Sequence, residues 1–134
     1  MAISATDERV ARALSRGHTI DITTIGRKSG QPRRIELVFH NIGGRVYLSG
    51  MPRPAPRAWL LNLRANPRLT FHLKGPIRAD LPASAREITE PGERRRVMEQ
   101  VARNWNRTDV ERMTAQSPLV EVVFHTSASA GAVA

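Results

Sequence analysis

The chain of 134 residues contains no cysteine. Disulfide bonds, thiolate catalysis and zinc–thiolate centres are therefore excluded. No apolar run approaches the roughly 18 residues that a membrane-spanning helix needs. The histidines lie far apart in the sequence and show no metal-ligand spacing; they are His18, His40, His72 and His125. We therefore expect a soluble, cytoplasmic protein with no metal and no integral membrane segment.

Acidic residues are also scarce, because 12 Asp and Glu face 21 Lys and Arg, a formal charge of +9. Such an excess predicts an acidic partner: nucleic acid, an anionic membrane or an anionic small molecule. It is equally consistent with a general bias toward arginine. Aromatic residues make up only 4% of the chain. Since the basic residues are dispersed and no aromatic platform lies among them, we expect no nucleic-acid partner.

The hydrophobic pattern predicts an α+β fold in one domain, residues 1–134. Short connections between alternating apolar strands favour a small closed or split, mostly antiparallel barrel with flanking helices. We expect an N-terminal helix within residues 1–17, capped by Thr6, and a frayed tail at 126–134. The predicted strands are 18–25, 34–40, 45–49, 69–73, 77–89 and 119–125, and the predicted helices are 6–16, 57–65 and 91–107.

A loop rich in glycine and cations follows the first predicted strand. Residues 23–33 read Thr-Thr-Ile-Gly-Arg-Lys-Ser-Gly-Gln-Pro-Arg. Glycines permit a tight turn whose backbone N–H groups can bind an anion such as a phosphate. The spacing is not that of a Walker A motif, and a strand follows instead of a helix. The residues alone leave two interpretations, an anion site or a basic surface hairpin.

A second segment, residues 58–67, reads Ala-Trp-Leu-Leu-Asn-Leu-Arg-Ala-Asn-Pro. Trp59 and Asn62 lie three residues apart, on one face of the predicted helix. They could hold a flat heterocycle, or Trp59 could be core and Asn62 solvated. Ser49 ends a strand just before the proline-rich loop 51–56, a suitable place for ligand contact. The run Arg94–Arg96 at a helix start favours a solvated basic face.

In their order and spacing, these segments resemble the deazaflavin-dependent nitroreductase family, also described as F-420-dependent quinone reductases. The resemblance rests on Thr23–Arg33, Ser49 and Trp59–Pro67 and covers residues 18–75 closely. It implies a split β-barrel related to FMN-binding pyridoxamine-phosphate oxidases. Relatives of this fold are commonly homodimers, so a homodimer is expected by analogy.

The resemblance also implies roles for individual residues. Arg27, Lys28, Ser29 and Arg33 would hold the phosphate and the acidic tail of the coenzyme F-420. Ser49 would approach the deazaflavin ring, and Trp59 and Asn62 would line the same pocket. The implied activity is hydride transfer from the reduced coenzyme to a quinone, enone or nitro compound, with the proton taken from solvent.

Two departures from the family pattern leave the electron acceptor open. The family often has Lys or Tyr and two glycines after the serine, where this chain has Gly50-Met51-Pro52. Tyr47 is the only tyrosine, so the tyrosine wall of nitro-reducing members is missing. Met51 and Trp105 are the candidates for the substrate wall. The alternatives are a split-barrel protein that binds FMN and a non-catalytic coenzyme, lipid or nucleic-acid binder.

Overall fold

The computed structural model describes residues 8–16 and 19–125. Six strands close into a barrel in the order β1-β2-β3-β6-β5-β4, and every neighbouring pair is antiparallel. This confirms the α+β barrel expected from the short connections. The predicted Thr6 cap and the tail at 126–134 lie outside the described residues. The strands are β1 (Thr19–Ile25), β2 (Pro32–Ile42), β3 (Arg45–Ser49), β4 (Arg68–Lys74), β5 (Arg78–Glu87) and β6 (Leu119–Phe124).

In the described part of the chain, four helices flank the strands: α1 (Glu8–Arg16), α2 (Ala58–Ala65), α3 (Pro91–Asn104) and α4 (Val110–Gln116). The prediction of one helix over 91–107 was wrong at its end. Asn106 adopts a left-handed φ of 58°, and the N–H of Arg107 donates to the carbonyl of Ala102 at 2.8 Å. This Schellman arrangement ends α3 with an asparagine where glycine is usual. The short α4 that follows was not predicted.

Alternating side chains fill the barrel, as the period-two pattern predicted. On β1, Ile20, Ile22 and Thr24 are all buried on the inward face. The ring of Phe71 meets the rings of Phe39 and Phe124 edge-on, with centroids 5.4 and 5.2 Å apart. These contacts join strands β2, β4 and β6 across the core.

Helix α2 packs into the barrel core through Leu60 and Leu63, and this places its Trp59 and Asn62 beside the end of β1. Helices α3 and α4 form a second buried cluster against β3 and β6. Among the described helices, none has the length and apolar character needed to cross a membrane.

The predicted solvated basic face at the start of α3 was wrong for Arg94. Its guanidinium donates to the backbone carbonyls of Thr114, Ile88 and Ser117 at 2.8, 2.9 and 2.7 Å. Because these carbonyls lie beyond β5 and at the end of α4, Arg94 ties the two helices to the barrel. Arg95 pairs with Glu111 at the surface.

Candidate functional site

The loop between β1 and β2 is a tight turn closed by its own backbone. The N–H of Gly30 donates to the carbonyl of Gly26, and the N–H of Gly26 donates to the carbonyl of Gln31, both at 2.8 Å. Gly30 has a φ of 70°, in the left-handed region that favours glycine. Ser29 Oγ accepts from the N–H of Gln31 at 3.1 Å, so its own hydrogen stays free to be donated.

Gly26 is buried at the base of this turn, where there is no room for a side chain. A Cβ at this position would lie 2.6 Å from Ser29 Oγ and 3.3 Å from the carbonyl oxygen of Gln31. Any larger residue would therefore displace Ser29. The glycine at 26 keeps the serine hydroxyl in place.

Asn62 joins α2 to the loop. Its Oδ1 accepts from the backbone N–H and from Nη1 of Arg27, each at 3.1 Å, and its Nδ2 donates to Thr24 Oγ1 at 3.2 Å. Only 5% of Asn62 is exposed. The alternative interpretation of Asn62 as a solvated residue was therefore wrong, because its amide is buried and hydrogen-bonded at both its oxygen and its nitrogen.

These elements enclose a cavity of about 290 Å³, here called the loop cavity. Six of the predicted site residues line it together. Three cations face it, and none of the described residues that line it is a carboxylate. The lining residues are Thr24, Gly26, Arg27, Lys28, Ser29, Arg33, Ile35, Ala58, Trp59 and Asn62.

Several hydrogen-bond donors at the loop cavity lack partners. Within the described ranges, no intrachain hydrogen bond involves the backbone N–H of Lys28 or Ser29, and both residues are exposed. The indole Nε1 of Trp59 is buried and also has no partner among the described residues. Because a buried donor without a partner is costly, the loop cavity is suited to an anionic ligand whose acceptor atoms can pair with these donors.

The other predicted site residues lie in a second cavity of about 270 Å³, here called the Ser49 cavity. Ser49, Met51 and Trp105 line it. Ser49 is 3% exposed, and its hydroxyl donates to the carbonyl of Pro118 at 2.7 Å. The serine oxygen can thus accept a hydrogen bond, but its hydrogen is already used. Met51 is 46% exposed.

Strand β2 connects the two cavities. Ile35 lines the loop cavity, and Leu37 and Val38 line the Ser49 cavity. Three residues of extended strand span about 10 Å. The predicted site residues are therefore divided between two neighbouring cavities along one strand, an arrangement that suits an elongated ligand.

A buried histidine supports Trp105. His40 is 4% exposed, its ring lies 4.9 Å from that of Trp105 at 68°, and its Nδ1 accepts from Asn104 Nδ2 at 3.0 Å. Burial lowers the pKa of His40 below its ordinary value. This contact was missed in the sequence, where His40 was considered only as a metal ligand. Within the described ranges, no group of three or more His, Asp or Glu side chains could hold a metal ion.

Four other residues that line the loop cavity were not predicted as site residues: Thr24, Gly26, Ile35 and Ala58. Thr24 could have been predicted from the sequence, since it is a polar residue at an inward position of an alternating strand. Ile35 and Ala58 could not have been predicted, because apolar residues in such positions usually belong to the hydrophobic core.

Comparison with known proteins identifies the family. Residues 2–126 match the family described as F420H(2)-dependent quinone reductase. The chain belongs to this family. It is therefore an oxidoreductase that depends on the deazaflavin coenzyme F-420, and the resemblance stated from the two sequence segments is confirmed.

Solved structures show the same fold for this member of the quinone reductase family. A conserved hypothetical protein from Mycobacterium tuberculosis is 24% identical with a TM-score of 0.71, over 90% of this chain and 81% of that one. An F420 reductase is 15% identical with a TM-score of 0.65, over 86% and 92%. A Listeria innocua protein provisionally named a pyridoxamine 5'-phosphate oxidase is 14% identical with a TM-score of 0.66, over 89% and 93%. The predicted split barrel is confirmed by these likenesses.

The donors of the loop cavity fit the coenzyme of the quinone reductase family. F-420 carries a phosphate and an acidic tail, and the cavity offers three cations, one hydroxyl hydrogen and two backbone N–H groups without a carboxylate to compete. Charge-assisted hydrogen bonds from such groups are the strongest that a protein makes to phosphate.

Proposed function

We propose that this protein transfers a hydride from reduced F-420 to an electron-poor small molecule, namely a quinone, an enone or a nitro compound. The observation that supports this most directly is the loop cavity, where Arg27, anchored by Asn62, lies beside Lys28 and Arg33. The bound coenzyme supplies the hydride from its ring carbon C5, and the protein supplies binding, orientation and exclusion of water.

In this proposal the phosphate end of the coenzyme is held by Arg27, Lys28, Ser29 and Arg33. Arg27 is oriented before binding, because Asn62 holds both its backbone and its guanidinium. Preorganised donors lower the cost of ordering side chains when a ligand binds. Lys28 and Arg33 are exposed and could follow the acidic tail into solvent.

The ring end would lie along β2 toward the Ser49 cavity. Trp59 offers an aromatic surface and an indole N–H that no described residue accepts, and Ser49 offers its oxygen as an acceptor. Because the Ser49 hydrogen is donated to Pro118, we assign Ser49 a role in positioning and no role in proton transfer. The proton that completes reduction of the acceptor is taken from solvent.

The electron acceptor would contact Met51 and Trp105, which face the Ser49 cavity together. Both are large and apolar, and the neighbouring Val38 is 40% exposed. A flat, electron-poor ring fits such a wall better than a charged substrate. A homodimer and a cytoplasmic location remain predictions for this chain.

A coenzyme titration tests the proposal. Purified protein is titrated with F-420 and, separately, with FMN, and binding is followed by fluorescence. We expect micromolar affinity for F-420 and much weaker affinity for FMN. Tight binding of FMN alone would support the FMN alternative. If neither F-420 nor FMN binds, both coenzyme hypotheses are overturned.

Charge-matched variants locate the phosphate end. The Arg27→Ala/Lys28→Ala variant should bind F-420 more weakly by about 1–3 kcal/mol, the range for hydrogen bonds to charged groups. The control Arg68→Ala/Arg78→Ala removes the same charge from exposed residues outside both cavities. Equal affinity in the two double variants would show that only the net charge matters and that the loop does not hold the phosphate.

A further inference from the structure

A third cavity, of about 350 Å³, lies between the proline-rich loop, the end of α2, the link from β5 to α3 and the end of α4. Three arginines line it, Arg53, Arg64 and Arg94, and we call it the arginine cavity. It shares no lining residue with the loop cavity. Helix α2 separates the two, because Trp59 and Asn62 face one and Arg64 faces the other.

The arginine cavity holds an excess of positive charge. Among the described residues that line it, Glu87 is the single carboxylate, and both of its oxygens accept from Arg64, at 2.8 and 2.7 Å. Arg53 makes no side-chain hydrogen bond within the described ranges. Burial and the charge of Arg53 lower the pKa of the neighbouring Arg57, so cations already repel one another at this edge.

Arg94 has donors left over. A guanidinium carries five N–H groups, and the carbonyls of Thr114, Ile88 and Ser117 take three of them, one on each nitrogen. Two N–H groups, one on each Nη, remain. In the part of the chain that the structure describes, no carboxylate forms an ion pair with Arg94. Cations that are partly buried are usually paired, because carbonyl dipoles do not cancel their charge.

We propose that the arginine cavity binds a small dianion that carries phosphate or carboxylate groups. Such a ligand offers oxygens to both Arg53 and Arg94 and offsets the two positive charges that Glu87 leaves uncompensated. The forked donors of arginine suit planar carboxylate and phosphate oxygens. The volume admits a small organic anion as well as an inorganic ion, and the polar side chains of Thr89 and Gln116 line the same space.

The test must separate this cavity from the loop cavity, which would also attract anions. The Arg27→Ala/Lys28→Ala protein is therefore titrated with pyrophosphate and, separately, with succinate at constant ionic strength, and backbone amide shifts are followed by NMR. We expect saturable shifts at residues 87–89 and 115–117. The two anions distinguish phosphate from carboxylate preference, and saturable binding of either one there supports the proposal.

A charge-matched pair makes the test quantitative. In the same double-variant background, Arg53→Ala should weaken binding of the preferred anion about tenfold or more, whereas Arg68→Ala should change it less than twofold. Arg53 is exposed, so its loss should leave the thermal unfolding curve unchanged. Equal weakening by both substitutions, or shifts confined to residues 26–30, would overturn the proposal. So would the absence of saturable binding by either anion.

Discussion

Asn62 Oδ1 accepts hydrogen bonds from both the backbone N–H and the guanidinium of Arg27, each at 3.1 Å. One buried side chain on α2 thus fixes the position and the direction of a cation in a loop that lies 35 residues away in sequence. The same amide donates to Thr24 at the end of β1. The loop cavity is therefore organised by the barrel core before any ligand arrives.

Replacing Asn62 with alanine should release Arg27 and weaken F-420 binding by about 1–3 kcal/mol, because Arg27 must then be ordered by the ligand. The free energy of unfolding should also fall by about 1 kcal/mol, since a buried network is lost. Coenzyme titration and urea unfolding measure the two effects. Asn66→Ala, which removes only a local bond to the N–H of Arg68, is the control. Unchanged coenzyme affinity in Asn62→Ala would contradict the positioning role.

Gly26→Ala should reduce F-420 affinity about tenfold with little loss of stability. The new methyl group would lie 2.6 Å from Ser29 Oγ, so the serine must move and its bond from Gln31 is lost. The double variant Gly26→Ala/Ser29→Ala removes that clash. We expect its thermal unfolding curve to match that of the unsubstituted protein while coenzyme binding, measured by titration, stays weak. Normal binding by Gly26→Ala would mean that the loop tolerates the shift.

Much of the fold could be predicted from local patterns. The alternation of Ile20, Ile22 and Thr24 indicated β1 and its inward face, and Gly43-Gly44 indicated the hairpin into β3. Both glycines have a positive φ. Short connections indicated a small antiparallel barrel but not the order of its strands, since β1 pairs with β4 and β3 pairs with β6.

Nine of the residues that line the two cavities could be named from the sequence, but their division between two cavities could not. The loop and the Trp59–Asn62 pair are local motifs, whereas their contact depends on α2 packing against β1. Arg94 was misjudged for a similar reason, since its carbonyl partners lie up to 23 residues away. The end of α3 was missed because an asparagine occupies the left-handed position.

Arg94→Met should destabilise the protein by about 2–3 kcal/mol, because three backbone carbonyls lose charge-assisted donors. Arg96→Met on the same helix is the matched control, since Arg96 is exposed, and its effect should stay within about 0.5 kcal/mol. Urea unfolding followed by circular dichroism gives both values. Similar stability of the two variants would show that water replaces the guanidinium at these carbonyls.

Stability should fall as the pH drops from 7.5 to 5.5, because burial lowers the pKa of His40 below its ordinary value of 6.5. In this window the unfolded chain binds a proton more readily than the folded one, so acid favours unfolding. The stability is fully present above about pH 6.5 and is lost toward the lower pKa of the folded state, by up to about 1.4 kcal/mol per pH unit. Asp21 and Glu93 also have lowered pKa values, but these carboxylates titrate below the window.

To check this pH dependence, the free energy of unfolding in urea is measured at pH 7.5, 6.5 and 5.5 for the unsubstituted protein and for two variants. His40→Gln keeps an acceptor for Asn104 but cannot be protonated, so its stability should be nearly level across the window. His125→Gln, at an exposed position after β6, should keep the original slope. Parallel pH profiles for all three proteins would exclude His40 as the titrating group.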